Sequence, residues 1–339
     1  MGAFSMLSGL AKQFWPPSPS FTEANIPNGS QKGKVFMVTG GNSGLGYELC
    51  KILITSGATV YMATRSKERA EEAIKSIIDT VSDTPERGQL HFIHLDLADL
   101  ASVRTAAKEF AQKENKLDIL WNNGGIGANA VKYGERTKQD LEILMGIHCV
   151  GALLFSELLV PQLKAAAVQG APSRVVWLTT VLVDTSAPKN GIEFPAVETG
   201  YEARMDNYAA SKAGVWMLAR EFARRHKEEG IISVALNPGS LETGSFRGTP
   251  SIMMFLMRIT ILHKPIYGAY TMLYAGLSPE VTIDNSGIFI YPWGRLVSDR
   301  DVIRKDILHA EKSTDDGGLG LAAQLWEWCQ SKWDVESEH

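Results

Sequence analysis

Cysteine is scarce. Cys50, Cys149 and Cys329 are the 3 in 339 residues, and none belongs to a CxxC pair or to a Cys/His cluster with metal-ligand spacing. That spacing argues against a disulfide framework and a structural zinc, and no metal is expected; a reduced, cytoplasmic chain fits it. Long apolar runs are also missing, since none reaches the roughly 18 residues a spanning helix needs. The stretch MGAFSMLSGLAKQFWPP has no charged region ahead of an apolar core, which speaks against a secretory leader. Met6 stands where acylation at Gly2 would want Ser or Thr. Neither sign of charge dominates: 34 Lys and Arg against 38 Asp and Glu give a formal net charge of -4. With no long basic run, a nucleic-acid groove is not expected, and small molecules are the better partners.

What is present is a rhythm. From residue 34 onward, short β-rich runs alternate with longer helical stretches, as in a parallel sheet covered by helices on both faces. Strands are expected at 34–39, 58–63, 90–95, 117–121, 174–180, 232–237 and 286–292, and helices at 44–56, 67–81, 99–115, 137–169 and 206–229. Right-handed crossovers turn this into an α/β fold, a single-domain Rossmann-type doubly wound sheet of about seven strands. The expected division is an arm at 1–30, a nucleotide-binding domain with its substrate loops at 31–310, and a helical extension at 311–339. Residues 4–15 can form a short amphipathic helix, either touching a membrane surface or packing as an arm, with packing favoured.

The first strand runs into TGGNSGLG, residues 39–46. Gly40, Gly44 and Gly46 permit a tight turn and close approach of a pyrophosphate, whose charge a helix N-terminus stabilises. The second strand ends VYMATRSK without the acid that would accept from a ribose 2′-hydroxyl. Arg65 can instead pair with a 2′-phosphate, with Lys67 or Asn42 assisting, which points to NADP(H). Further on, NYAASKAG places Tyr208 and Lys212 four residues apart, hence on one helical face.

Taken in order, Thr39 to Gly46 as TGxxxGxG, WNNGG at 121–125, the Tyr208/Lys212 pair and NPGSLET at 237–243 resemble the short-chain dehydrogenases/reductases over nearly the whole chain. The arm QFWPPSPSFTEANIP, the stretch PIYGAYTMLYAGLSPE, YPWGR and GLGLAAQLWEWC resemble its fungal secondary-metabolism branch, which has retinol-dehydrogenase-like members. The resemblance implies a cofactor site lined by Gly40, Asn42, Ser43, Gly44, Leu45, Gly46, Arg65 and Lys67. Asp96 and Leu97 would border the adenine, and Asn122, Asn123 and Gly124 the cofactor floor. Pro238, Gly239, Leu241 and Thr243 would lie toward the nicotinamide.

In that family a tyrosine exchanges a proton with the substrate oxygen while a neighbouring ammonium lowers its pKa, here Tyr208 and Lys212. Lys212 would also hold the nicotinamide ribose. A serine usually binds the substrate oxygen; Thr180 occupies its place, with Thr179 as a rival. Asparagine is usual where this chain has His148, which either relays protons or is a satisfied core histidine. Gly125 replaces a usual alanine. Residues 183–205 should wall the substrate site, and the methionine-rich segment 248–265 is either an apolar lid or a core helix.

The expected function is thus an NADP(H)-dependent interconversion of a carbonyl and an alcohol on a hydrophobic metabolite in fungal secondary metabolism. The alternative is a nucleotide-binding relative with a drifted site, serving non-redox cyclase or dehydratase chemistry or cofactor sensing. A homodimer on helices 137–169 and 206–229 and a monomer are both open.

Overall fold

Val35–Thr39 (β1) reads VFMVT and is buried along its whole length, the mark of a central parallel strand covered on both faces. The computed structural model describes residues 3–81, 84–168, 171–242, 254, 257–258 and 260–334. β1 is followed by Gly44–Thr55 (α2), Thr59–Thr64 (β2), Lys67–Thr80 (α3), Gln89–His94 (β3), Leu100–Lys113 (α4) and Ile119–Asn122 (β4). Ser173–Leu178 (β5), Ile231–Leu236 (β6), Phe289–Tyr291 (β7) and Arg295–Val297 (β8) complete the sheet. Its order is β3-β2-β1-β4-β5-β6-β7-β8, with every pair parallel except β7 and β8. The expected strands are all there. The eighth, a three-residue strand that doubles back after the YPWG turn, is too short to carry a periodicity signal.

The strand order reverses between β1 and β4, so the loops at their carboxyl ends flank a crevice, where open sheets of this kind bind ligands. One apolar layer joins the sheet to α4, the helix pair Ile143–Met145 (α5) and Ala152–Leu158 (α6), and the long helix Arg204–His226 (α10). The other joins it to α2, α3 and Pro265–Leu277 (α11). Trp177 and Trp216 are core fillers in the first layer. Between α5 and α6 the backbone widens into a π-turn at Gly146–Gly151, and Val160–Val168 (α7) leaves the end of α6 at 50°. The uninterrupted helix expected at 137–169 therefore begins only at Ile143, after turns and an isolated bridge between Arg136 and Glu142, and is bent and wound in two registers. No single described helix is long and apolar enough to cross a membrane.

Two terminal elements pack on this body. Ala3–Phe14 (α1) is the helix expected at 4–15, and it buries Gln13 while Met6, Leu7 and Trp15 stay exposed. Leu321–Asp334 (α13) lays Leu325, Trp326 and Cys329 against α10, with Trp326 tilted beside Phe222 and under the Arg225 guanidinium. Between β5 and α10 the chain forms two short helices, Leu182–Ser186 (α8) and Phe194–Thr199 (α9). Arg304 holds this segment by donating to the carbonyls of Val183, Ala187 and Pro188, just before Lys305–Glu311 (α12).

Candidate active site

The loop after β1 is set by backbone crowding. Gly40 takes a positive φ of 64°, and a Cβ at Gly46 would fall 2.5 Å from the Gly40 carbonyl and 2.7 Å from Asn123 Nδ2. Gly44 also has a positive φ, 55°, but a Cβ there would meet nothing within 4 Å. Ser43 stands at the N-cap of α2 without capping it, so its side chain leaves the first N–H groups of that helix for another acceptor. This is the chemistry of a pyrophosphate cradle, and the residues present fit one.

The neighbouring loop is locked to it. Thr39 Oγ1 accepts from the Gly124 N–H at 2.7 Å, and Asn123 Nδ2 donates to the carbonyls of Thr39 at 2.8 Å and Gly40 at 3.2 Å. Asn122 turns inward, donating to Ser156 Oγ at 2.8 Å. Of the expected floor, Asn122 and Asn123 therefore aim their side chains at protein groups, and Gly124 supplies the close approach. Leu97 lies against Gly124, and Asp96 accepts from the Ala98 N–H at 3.0 Å. Leu45 and Leu241 meet over Gly268 of α11, where a Cβ would strike both. Arg65 is exposed at the end of β2, and Asn42 reaches the same place by accepting from Thr64 Oγ1 at 3.0 Å. Lys67 is turned toward Glu71 at 3.7 Å. Gly239 follows Pro238 with a φ of 98°, while Thr243 and half of 248–265 lie outside the described residues.

Residues 34–188 match the family model described as short chain dehydrogenase. A short-chain dehydrogenase/reductase of Pestalotiopsis fici, iacJ, is 43% identical over 97% of this chain and 98% of its own. The chain belongs to the short-chain dehydrogenase/reductase family. A crystallised protein of Mycobacterium paratuberculosis shares the fold at a TM-score of 0.63 and 24% identity, over 93% of this chain and 97% of that one. An NADPH-bound carbonyl reductase from chicken fatty liver does so at 0.58 and 23%, over 79% and 99%.

Within this short-chain dehydrogenase/reductase, Tyr208 and Lys212, the expected acid/base pair, sit on the first half of α10. Lys212 is 6% exposed and donates from Nζ to the Leu178 carbonyl at 3.0 Å; its ammonium lies 5.9 Å from the Tyr208 ring centre. Burial pulls the Lys212 pKa down to about 8 and pushes the Tyr208 phenol up to about 12. The expected lowering of the tyrosine by its lysine is therefore not found in the protein alone. Desolvation outweighs an ammonium that is nearly 6 Å away and bonded to a carbonyl, so Tyr208 rests as a proton donor.

Hydrogen bonding separates the two threonines at the end of β5. Thr179 is buried and donates from Oγ1 to the Leu236 carbonyl at 3.0 Å, which ties it to the neighbouring strand. Thr180 is partly exposed and its Oγ1 accepts from the Leu182 N–H at 3.3 Å, which keeps its own proton for another acceptor.

His148 is carried on the π-turn, a feature common at functional sites. The Ile126 N–H donates to its Nε2 at 3.2 Å, which assigns the ring proton to Nδ1. Nδ1 then donates to Ser211 Oγ at 2.9 Å, and Ser211 donates to the Tyr208 carbonyl at 2.8 Å. Burial and then the positive charge of Lys212 push the His148 pKa well below its ordinary value, so the ring is neutral. With both nitrogens engaged, the geometry favours holding Tyr208 over relaying protons. Sequence reasoning missed the reason for Gly125: a Cβ there would lie 2.8 Å from His148 Nε2. The two unusual residues form a matched pair, and their joint departure from the family pattern was the available signal.

Gly125→Ala should therefore cost roughly 1–3 kcal/mol by overpacking. Most of it should return in the Gly125→Ala/His148→Asn double variant; urea unfolding of the four proteins closes the cycle. Lys212 makes a second, opposite prediction. A lysine with a folded pKa near 8 costs stability in full below that value, and the cost fades as pH rises toward its ordinary, unfolded pKa. Lys212→Met should raise stability at pH 7 by about 1–3 kcal/mol, with the gain shrinking between pH 8 and 10, as followed by thermal unfolding across pH.

Proposed function

We propose that this chain is an NADP(H)-dependent reductase, and in reverse a dehydrogenase, acting on a carbonyl or carbinol of a hydrophobic metabolite in fungal secondary metabolism. The observation that carries the reading is continuity. The glycine cradle at the N-terminus of α2 is bonded through Thr39 to Gly124, and a Cβ at the next residue, Gly125, would lie 3.7 Å from Lys212 Nζ. NADP(H) preference is supported by Arg65 and Asn42 at the end of β2, where an acid would serve the unphosphorylated ribose.

When bound, the cofactor supplies or accepts the hydride at the carbonyl carbon. Thr180 orients the substrate oxygen, Tyr208 delivers its phenolic proton to that oxygen, and Lys212 stabilises the phenolate left behind. A neutral Tyr208 suits the reductive direction. Three acids of the substrate wall are already engaged: Asp184 by Gln13, Glu193 by Tyr201 and Glu198 by Lys332. An apolar substrate suits such a wall. The intact Tyr208/Lys212 pair favours redox chemistry over a cyclase, dehydratase or sensor. α13 covers α10 where a homodimer was expected, so the reading favours a monomer or a dimer through another face. Three buried free cysteines are in keeping with a cytoplasmic setting.

The test is a screen of hydrophobic ketones and aldehydes with NADPH and with NADH. Turnover should prefer NADPH, fall by about 10²–10⁴ in Tyr208→Phe, and decline as pH rises through about 8, when Lys212 loses its proton. Arg65→Ser should erode the preference for NADPH. Turnover that survives in Tyr208→Phe would overturn the assignment.

A further inference from the structure

Gln13 lies on α1, outside every motif of the site, yet it is 2% exposed and its amide is used at both ends. Nε2 donates to Asp184 Oδ2 at 2.7 Å, and Oε1 accepts from Asn237 Nδ2 at 2.8 Å. Asn237 in turn accepts at Oδ1 from the Gly239 N–H at 3.0 Å. Every donor in this series faces an acceptor, so flipping either amide would break two bonds at once. The series begins at α8 in the substrate wall, crosses α1 and ends in the turn after β6.

The last turn of α1 grips that turn from a second side. His263 Nε2 donates to the Phe14 carbonyl at 3.1 Å. The His263 backbone donates to the Ser240 carbonyl and accepts from the Glu242 N–H, both at 2.9 Å. Residues 237–242 are thus tied to α1 through Asn237 and through His263. Gly9 of α1 packs so closely on Ile303 that a Cβ would fall 2.7 Å from it, which fixes the helix on the body.

We infer that Gln13 is a positioning residue for the nicotinamide end of the cofactor site, holding the 237–242 turn in its binding geometry and joining it to the α8 wall. The inference rests on the cofactor reading above. A turn already held in place binds without an ordering cost, whereas a loosened turn binds only in the fraction of molecules that have it formed. The glycine cradle and Arg65 share no bond with Gln13, so the adenine half of the site should not feel its loss.

Gln13→Met keeps the length of the side chain and removes both hydrogen bonds. Titration of wild type and variant with NADPH and with 2′-phospho-ADP-ribose, which has the adenine, 2′-phosphate and pyrophosphate but no nicotinamide, separates the two halves. The expected result is a roughly tenfold weaker Kd for NADPH with that of the fragment unchanged. Equal weakening of both ligands would make Gln13 a folding residue and overturn the inference. Unchanged affinity for both would overturn it as well. A wild type that binds neither would refute the cofactor reading, and a wild type that binds both leaves that reading standing whichever way the variant falls.

Discussion

Everything at the site depends on how closely two loops approach at the point where the sheet changes direction. Gly46 comes so near the Gly40 carbonyl that no side chain fits, a Cβ at Gly40 would be 3.0 Å from Gly124 Cα, and Thr39 bonds the Gly124 N–H. Larger residues would force the loops apart and move the cofactor floor away from the helix that carries Tyr208 and Lys212. The glycines are a geometric requirement, since they let backbone act both as wall and as donor.

That geometry brings an electrostatic conflict with it. An ammonium is held almost out of solvent against a backbone carbonyl, beside a phenol whose ionisation burial disfavours. A neutral His148, bonded at both nitrogens, spares the site a second cation. The arrangement favours function over stability, as sites that keep a buried charge for catalysis tend to do.

The central parts were legible in the sequence because they are local. Strand runs such as VFMVT, the TGxxxGxG spacing and the Tyr208/Lys212 separation are patterns within a few residues, and each lands where it was expected. The parts that were not legible are long-range. Gln13 meets Asp184 across 171 positions and Asn237 across 224, and no spacing rule connects them. The fit of His148 to Gly125 depends on a π-turn that periodicity cannot detect. The choice of Thr180 over Thr179 needed the neighbouring strand, because only pairing with β6 removes the Thr179 hydroxyl. β8 escaped for a similar reason, being defined by what it packs on.

The claim that this cradle delivers a nicotinamide to Tyr208 is tested most directly by following the transferred hydrogen itself. NADPH deuterated at C4 of the nicotinamide would be incubated with the protein and a hydrophobic ketone that it consumes, and the product examined by mass spectrometry and NMR. One deuterium on the carbinol carbon, with the hydroxyl proton drawn from solvent, is the predicted result. A product formed without deuterium at carbon, from either face of the labelled ring, would contradict the account and make the chemistry non-redox.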